Sequence, residues 1–408
     1  MGYRLRLIYA IILFDVIAAA AIGPVMPGFV RGLPEPQVWL ALGTGLFLGI
    51  QLVSAPLLGE LADGVGRRPV FIASALGTVL ATLLLLPGRR GLFFANRASD
   101  GLTNGMYSAV RAAITDLSPP EKVFRNLGIE GAIISLGFVI GPLISGLALT
   151  LFNVPPAHET TVIVRLVVAI AALNVGLTWL LRETLPNPPG VSGAALRAAV
   201  KRALNPLGLW ARLGRLDDAT GTIRRLILTQ VALTLCTGCY FYFVPYLSAG
   251  ALRMSPRDIS YFFIFFGALS IAFNYGFYTW LADRLDPRRA VAWLAGLGVP
   301  VLLGYAVVGA SRPALYGLVT LDCLTYSLIA GMLEGQLAQQ TAEHNRGEIF
   351  GLSQAFQGLA SFVSTFVFGA LSLVDLRLPW VWFALCLVAV VGLSGSRRAA
   401  RPAAVAPA

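Results

Sequence analysis

The sequence predicts an all-α membrane protein with twelve transmembrane helices, arranged as two six-helix pseudo-symmetric bundles. Hydrophobic residues occupy 57% of the 408 positions and charged residues only 12%, about half the charged share of an ordinary soluble domain. Apolar runs of about 20 residues, the length that crosses a bilayer, recur along the chain. So much apolar surface requires lipid rather than water as the main solvent.

Twelve such runs lie between breaks of proline, glycine and charge. The predicted spans are 7–29, 38–58, 69–87, 93–115, 124–151, 161–181, 225–249, 258–281, 290–310, 314–341, 347–373 and 378–395. One connection is much longer than the others and divides the spans six and six. The predicted units are therefore an N-terminal bundle (1–182), a linker (183–224), a C-terminal bundle (225–395) and a tail (396–408).

The distribution of basic residues predicts the orientation. With the N-terminus inside, the inner loops hold 21 Lys and Arg and the outer loops hold 8, while the other two of the 31, Arg97 and Arg111, lie within a span. Because positive charge accumulates on the cytoplasmic side, we expect both termini in the cytoplasm and the protein in the cell (inner) membrane. We interpret the net charge of +11 mainly as a topology signal. The sequence shows no basic patch on a soluble domain, so we expect no nucleic-acid partner.

The linker has an amphipathic segment over residues 192–216. Leu196, Val200 and Leu204 share one helical face, and basic side chains lie between them. This pattern predicts a cytoplasmic amphipathic helix, broken at Pro206, that lies on the anionic inner leaflet. The alternative is a disordered linker.

Two inner loops, at corresponding places in the two halves, repeat Leu-Ala-Asp followed by an arginine pair. Repeated halves are a signature of transporters, and such loops are suited to latch the inner side. We expect the gating residues to be Gly59, Asp63, Gly66, Arg67, Arg68, Glu130, Asp283, Arg288 and Arg289.

Three segments resemble the major facilitator superfamily. Gly59–Arg68 is similar to its signature loop, Asn96–Gly101 to its arginine-bearing span 4, and Gly137–Gly146 to the antiporter motif of its twelve-span drug:proton antiporters. In this sequence the antiporter motif consists of Gly137, Gly141, Pro142 and Gly146, and Ser145 stands where a second glycine is usual. The resemblance implies the major facilitator fold and exchange of a solute against protons.

Within that branch, Asp15–Pro27 and Arg182–Thr184 resemble tetracycline-efflux proteins. Tetracycline-efflux proteins share an acidic residue in span 9 that is linked to proton coupling. Span 9 of this sequence, residues 290–310, contains no acid. The coupling group is therefore expected in another span.

Seven ionisable residues of the predicted spans are taken as intramembrane candidates. They are Asp15, Arg97, Asp100, Arg111, Glu130, Asp322 and Glu334. A lone charge at a helix centre costs about 2.5–3.5 kcal/mol on insertion scales, so these groups are expected to face a polar cavity or one another. On a straight span 4, Arg97, Asp100 and Arg111 share one face. Arg97 and Asp100 can pair as i,i+3 neighbours, whereas Arg111 can pair with Asp116 or Glu121.

The remaining candidates follow from polar side chains at lipid depth, each of which could instead join helices. The proton-coupling candidates are Asp15, Asp100, Asp322 and Glu334. The substrate-cavity candidates are Arg97, Asn104, Arg111, Gln51, Gln230, Tyr240, Asn274, Tyr278, Tyr326, Gln354 and Gln357. Glu130, near the inner end of span 5, is expected to form a gating or structural pair at the depth of the Asp63 loop.

The predicted function is proton-coupled efflux (antiport) of a drug-like or amphiphilic small molecule by alternating access. Two alternatives stay open: a proton-coupled symporter that imports a small metabolite, and a non-transporting membrane receptor or scaffold. The sequence has no Walker loop and no metal-ligand spacing, so neither an enzyme nor a metal or cofactor is expected. We expect a monomer in the lipid bilayer, driven by the proton gradient.

Overall fold

The computed structural model describes residues 2–185, 187–217, 221–280, 286–341 and 346–395. Within these ranges the chain is helical, with sixteen α-helices and three 3₁₀ turns (Gly23–Val25, Asn104–Met106 and Pro120–Lys122). The α-helices are α1 (Tyr3–Ile22), α2 (Pro27–Val30), α3 (Pro36–Val65), α4 (Arg67–Leu83), α5 (Arg90–Thr103), α6 (Tyr107–Asp116), α7 (Val123–Leu151), α8 (Glu159–Leu180), α9 (Gly193–Ala203), α10 (Pro206–Leu216), α11 (Thr222–Ala249), α12 (Pro256–Trp280), α13 (Pro287–Val307), α14 (Arg312–Gln340), α15 (Arg346–Val374) and α16 (Leu378–Gly395).

Ten segments of the described chain are long and apolar enough to cross a membrane. They lie in α1 with the turn that follows it, α3, α7, α8 and α11 to α16. They correspond to predicted spans 1, 2, 5 and 6 and to the six predicted spans after the linker. The chain is therefore a multi-pass helical membrane protein. The predicted tail, residues 396–408, lies outside the described residues.

The other two predicted spans have a different form. Span 3 corresponds to α4, which has 17 residues, and span 4 is divided into α5 and α6 by the 3₁₀ turn Asn104–Met106. We define the end of the helices that carries residue 2 and the α3–α4 turn as the terminal end, and the opposite end as the distal end.

Two predicted spans were wrong in detail. Span 1 was expected to run to residue 29, but α1 ends at Ile22 and the 3₁₀ turn follows. The reason is local, because Pro24 and Pro27 lack an N–H to continue an α-helical hydrogen-bond ladder.

Span 4 was expected to be one straight helix. Its break lies where the chain passes close to α3: a Cβ on Gly101 would lie 2.5 Å from the Phe47 carbonyl oxygen, and one on Gly105 2.7 Å from the Ala55 backbone. A 3₁₀ turn advances about 120° per residue instead of about 100°. The face of α6 is therefore rotated by about 60° against the straight-helix expectation.

Buried apolar side chains form three clusters. Two lie in the part of the chain before the linker, around Phe29 at the distal end and around Ile8 at the terminal end. The third is built mainly from α11 to α16, with Leu213 of α10. The two parts of the chain meet where α3 packs against α15 and α7 against α12.

The linker helices are anchored on both sides of this junction. The Gly190 N–H donates to the Gly64 carbonyl at 2.9 Å, and α9 packs against α3. The helical segment is interrupted before Pro206, as the sequence predicts, and Asn205 Oδ1 caps α10 by accepting the Gly208 N–H at 2.9 Å. Arg212 of α10 pairs with Glu348 of α15 at 2.6 Å.

Candidate functional site

The glycines of α7 bring that helix into contact with α1 beside Asp15. A Cβ on Gly137 would lie 2.7 Å from Val16, and a Cβ on Gly141 2.6 Å from the Ala20 Cβ. Only a residue without a Cβ fits at these positions. Ser145, which replaces a second glycine, donates its hydroxyl to the Ala21 carbonyl at 2.7 Å, so the substitution adds a helix–helix hydrogen bond.

The remaining residues of that motif are placed differently. Pro142 lies inside α7, where it supplies no backbone N–H. Gly146 faces α12, because a Cβ there would lie 3.3 Å from Ser260. The motif thus packs one face of α7 on α1 and its distal end on α12.

Asp15 is buried in the middle of α1, with 4% of its surface exposed. The Tyr107 hydroxyl donates to its carboxylate at 3.1 Å. Tyr107 begins α6, directly after the break in span 4, so the break helps to place this partner. No basic side chain in the described part of the chain lies within ion-pair distance of Asp15.

Arg97 and Asp100 form the predicted ion pair, with 3.4 Å between guanidinium and carboxylate. Arg97 also donates to Asn96 Oδ1 at 2.8 Å, and its guanidinium lies 5.7 Å from the centre of the Phe47 ring. Both charged side chains are 15% exposed. One turn along, Gln51 Nε2 donates to Asn104 Oδ1 at 3.3 Å, which joins α3 to the break in span 4.

Arg111 pairs with Glu130 of α7 at 3.3 Å. Its predicted partners, Asp116 and Glu121, are therefore wrong: Asp116, five residues further along α6, pairs with Arg67 instead. Glu130 was expected to form a gating or structural pair, and its partner in the structure is Arg111. The Arg111 side chain is 49% exposed, whereas Glu130 is 2% exposed. The arginine of the second pair is thus more exposed than Arg97, and its acid is more deeply buried than Asp100.

Asp322 is the buried acid of the C-terminal part, with 5% of its surface exposed. One of its carboxylate oxygens and the Tyr240 hydroxyl have no hydrogen-bond partner among the described atoms. The Tyr240 ring packs on Tyr326, one turn from Asp322, with 4.8 Å between ring centres, and on Phe266 at 5.1 Å. Glu334, on the same helix, is exposed, and Arg111 acts on it electrostatically.

Gln230 and Gln357 are joined through a residue that sequence reasoning missed. The Ser353 hydroxyl donates to Gln230 Oε1 at 2.6 Å and accepts from Gln357 Nε2 at 3.0 Å. Gln354, its neighbour on α15, is exposed instead. The side chains of Asn274 and Tyr278 lie outside the described residues, so these two candidates have no structural assignment.

The first gating loop forms a charged network at the terminal end. Arg67 pairs with Asp63 and, at 3.3 Å, with Asp116. Arg68 donates to the Trp179 carbonyl at 3.2 Å. Gly59 lies against α6, because a Cβ there would be 3.2 Å from the Ser108 hydroxyl.

Glu183 completes this network, although the sequence offered it only as part of a resemblance. Its carboxylate accepts backbone N–H groups from Arg67, Arg68, Thr184 and Leu185 at 2.8–3.1 Å. Burial alone raises the pKa of Glu183, but these four donors outweigh it and hold the pKa below its ordinary value. Gly66 has φ +102°, and a Cβ there would meet Glu183 Oε2 at 2.4 Å.

The second gating loop is only partly described. Asp283 lies outside the described residues, as does the side chain of Arg288. Arg289 pairs with Asp286 at 3.6 Å, and both side chains are largely exposed. A second copy of the Asp63 network therefore remains a prediction.

The distal end is held together by a contact that the sequence did not reveal. Arg257, at the start of α12, donates to the carbonyls of Leu149 and Val154 at 2.9 and 3.0 Å and lies 3.7 Å from the Glu159 carboxylate. These groups belong to the part of the chain before the linker. We call Arg257 with these three partners the distal latch.

Two further contacts flank the distal latch. The hydroxyls of Thr150 and Tyr261 lie 2.7 Å apart, and Gln37 donates to the Ser372 carbonyl at 3.4 Å. Further along the same two helices, α3 still contacts α15 at Leu52, which would lie 3.5 Å from a Cβ on Gly358. These contacts join the two parts of the chain at the distal end, whereas Arg111, nearer the terminal end, is half-exposed.

Within the described residues no group of three or more His, Cys, Asp or Glu is placed to hold a metal ion. The cysteines Cys236, Cys239, Cys323 and Cys386 are free and buried. The interior therefore presents acids, arginines, amides and aromatic rings to a solute, together with side chains able to exchange protons.

A multi-pass helical protein with charged groups paired across its interior helices has the architecture of a membrane transporter. The chain belongs to the Major Facilitator Superfamily, whose sequence profile matches residues 8–365.

Relatives and solved structures refine this placement. The chain is similar to the class H tetracycline resistance protein of Pasteurella multocida, with 31% identity over 34% of this chain and 37% of that protein. The chain thus matches little more than a third of that relative's length. It is also similar to major facilitator superfamily domain-containing protein 10 of Homo sapiens, with 25% identity over 81% of this chain and 73% of that protein.

The fold is similar to two solved transporters. The crystal structure of the human organic anion transporter MFSD10 (TETRAN) has a TM-score of 0.69 and 20% identity, covering 96% of this chain and 98% of that one. An auto-inhibited POT family peptide transporter has a TM-score of 0.73 and 13% identity, covering 100% and 99%. At these identities the likeness concerns the fold alone.

Proposed function

We propose that the protein is a secondary active transporter that exports a drug-like or amphiphilic small molecule in exchange for protons, by alternating access. The observation that carries the proposal is the buried Asp15, which is held by Tyr107 and has no cationic partner in the described chain. A buried carboxylate without a counter-charge is costly unless it binds a proton. Asp15 can therefore load a proton while it is buried and release it when the surrounding helices move.

The proposed architecture completes the ten apolar segments with α4 and with the broken span α5–α6. It has twelve spans in two six-helix bundles, residues 1–182 and 225–395, with residues 183–224 as a cytoplasmic linker. The basic residues favour a cytoplasmic terminal end and an inner-membrane location. We expect a monomer, because one chain encloses the polar interior.

The proposed cycle uses the two ends in turn. In the structure the distal latch is formed and Arg111 is half-exposed, and we assign this conformation to the state that is open at the terminal end. Movement of the two bundles would break the Arg257 contacts and open the interior to the distal side. Gly137 and Gly141 pack α7 on α1 beside Asp15. We propose that α7 shifts relative to α1 during this movement.

The energetics are sufficient for export. Each proton that moves inward down a potential of about 100 mV releases about 2.3 kcal/mol. About 1.4 kcal/mol corresponds to a tenfold concentration ratio. Exchange of one proton per solute molecule therefore supports an outside-to-inside solute ratio of about fortyfold. Similarity to tetracycline resistance proteins supports an exported, drug-like solute.

One observation favours a second candidate, the export of an organic anion. Arg111 is a half-exposed cation that acts electrostatically on Glu334 of the C-terminal part, and the solved structure of MFSD10 is named an organic anion transporter. An anionic group on the solute would compete with Glu130 for this guanidinium. The two candidates differ only in substrate class.

The test uses inverted membrane vesicles that are acidified by respiration and report their internal pH through acridine orange. Addition of a substrate from a panel of antibiotics and dyes should release protons from wild-type vesicles, and Asp15→Asn should abolish this release while the protein inserts normally. The matched control is Glu121→Gln, which removes an exposed acid and should behave as wild type. Full proton release by the Asp15→Asn variant would refute the assignment of Asp15.

A further inference from the structure

A groove lies between the linker and span 2 at the terminal end. It has a cavity volume of about 660 Å³, and its walls are formed by Leu57 of α3, four residues of α9 (Leu196, Arg197, Val200 and Lys201) and the adjoining Leu204 and Asn205. The volume lies in the range of sites for small molecules, about 300–1,000 Å³. The groove is thus large enough for a part of an amphiphilic molecule.

The groove is built by fixed contacts. The Gly190–Gly64 backbone hydrogen bond holds the start of the linker on α3. Asn205 caps α10, and Leu213 of α10 is fully buried in the C-terminal cluster. Helix α9 is therefore positioned at both ends, and the groove keeps its shape without a ligand.

The surface around the groove is apolar and exposed. Leu204 is 59% exposed, and Leu207, one turn further along, is 81% exposed. Trp210 is also partly exposed, at 37%. Water would cover this much apolar surface at a considerable cost, whereas the acyl region of a bilayer would cover it favourably. The groove therefore lies where lipid meets the terminal end.

The charges at the rim are positive and uncompensated. Arg197 and Lys201 are exposed, and no carboxylate in the described chain is within ion-pair distance of either one. Arg212, another cation of the linker, is already paired with Glu348. Two free cations above an apolar wall are complementary to a molecule with an anionic head and a hydrocarbon tail.

We propose that the groove is a specific site for one anionic phospholipid of the inner leaflet. Its phosphate lies between Arg197 and Lys201, and one acyl chain lies along Leu57, Leu196 and Val200. A zwitterionic lipid lacks the net negative charge that the two cations attract. The bound lipid fastens the linker to span 2, so it stabilises the folded protein, independently of which solute is transported.

The test uses the full chain, purified in detergent, and measures Tm with added phosphatidylglycerol or phosphatidylcholine. Phosphatidylglycerol should raise Tm, and phosphatidylcholine or inorganic phosphate at the same concentration should not. Arg197→Gln with Lys201→Gln should weaken phosphatidylglycerol binding about thirtyfold, equivalent to about 1 kcal/mol for each basic residue removed.

The matched control is Arg4→Gln with Arg6→Gln, which removes two exposed cations at the same end but outside the groove and should leave binding unchanged. Leu57→Ser with Leu196→Ser should weaken binding while the charges stay in place. A photoactivatable phosphatidylglycerol should label wild-type residues 196–205, a readout that needs no variant. The proposal would be overturned by an equal rise in Tm with both lipids, or by an equal loss of phosphatidylglycerol binding in the groove double variant and the Arg4/Arg6 control. Photolabelling confined to segments other than 196–205 would also overturn it.

Discussion

The distal latch predicts that Arg257 determines which end of the protein is open. Arg257 makes two hydrogen bonds to carbonyls, at 2.9 and 3.0 Å, and one longer contact to Glu159. Replacement by Gln removes the charge and leaves the Glu159 side chain, which is 3% exposed, without its cation. The substitution should therefore destabilise the conformation that is closed at the distal end.

The magnitude follows from the contacts. Hydrogen bonds to charged groups contribute about 1.5–3 kcal/mol each when buried. The Arg257 side chain is 32% exposed, so solvent screening reduces this value, and about 2 kcal/mol in total is a reasonable estimate. That energy changes the ratio of distally closed to distally open protein about thirtyfold.

Distances between spin labels at the distal end measure this ratio. Ala157→Cys and Ala251→Cys place labels at exposed positions on the two sides of the latch, and the four native cysteines are buried. Arg257→Gln should shift the distance distribution toward longer values. Arg312→Gln is the matched control, because Arg312 pairs with Asp258 within the C-terminal part. An unchanged distribution for Arg257→Gln, or an equal shift for Arg312→Gln, would refute the latch.

Three further predictions concern stability, measured by thermal melts of the purified protein. Gly66→Ala, at φ +102° and 2.4 Å from Glu183, should cost about 2–3 kcal/mol, whereas Gly88→Ala, at φ +63° with open space, should cost about 1 kcal/mol. Glu183→Gln should lower Tm most near neutral pH. Because the folded pKa of Glu183 is lowered, its contribution is present above the ordinary pKa of about 4.3 and is lost as pH falls through the folded value. Arg111→Gln should cost about 2 kcal/mol by stranding Glu130, and adding Glu130→Gln should restore Tm; a double variant less stable than Arg111→Gln would contradict this.

The helices could be predicted because their signal is local. Hydropathy over about 20 residues, with Pro, Gly and charge at the ends, gave the spans in which the ten apolar segments lie. The break in span 4 carried no such signal. It depends on the approach of Gly101 and Gly105 to the backbone of α3, and a sequence alone does not show which helix lies opposite a glycine.

The same difference between local signals and tertiary contacts applies to the partners of the interior charges. Arg97 and Asp100 are three residues apart, so helix geometry predicts their pairing. Asp15 and Tyr107 are 92 positions apart, and their hydrogen bond is set by tertiary packing. The partner of Arg111 was wrong because its actual partner, Glu130, lies on a different helix, α7. The helical period predicts pairs on one helix, whereas pairs between helices require the fold.

The interior pairs also bear on the choice between the two substrate classes. Both interior arginines already have acidic partners: Arg97 pairs with Asp100 and Arg111 with Glu130. Asp15 and Asp322, in contrast, have no cationic partner in the described chain. An organic anion would therefore have to displace the buried Glu130 from Arg111, whereas a neutral or cationic solute can enter without breaking either pair. If the solute is an anion, Glu130→Gln should strengthen its binding by freeing Arg111. If the solute is neutral the same substitution should leave its binding unchanged, and if it is cationic the freed Arg111 should weaken its binding.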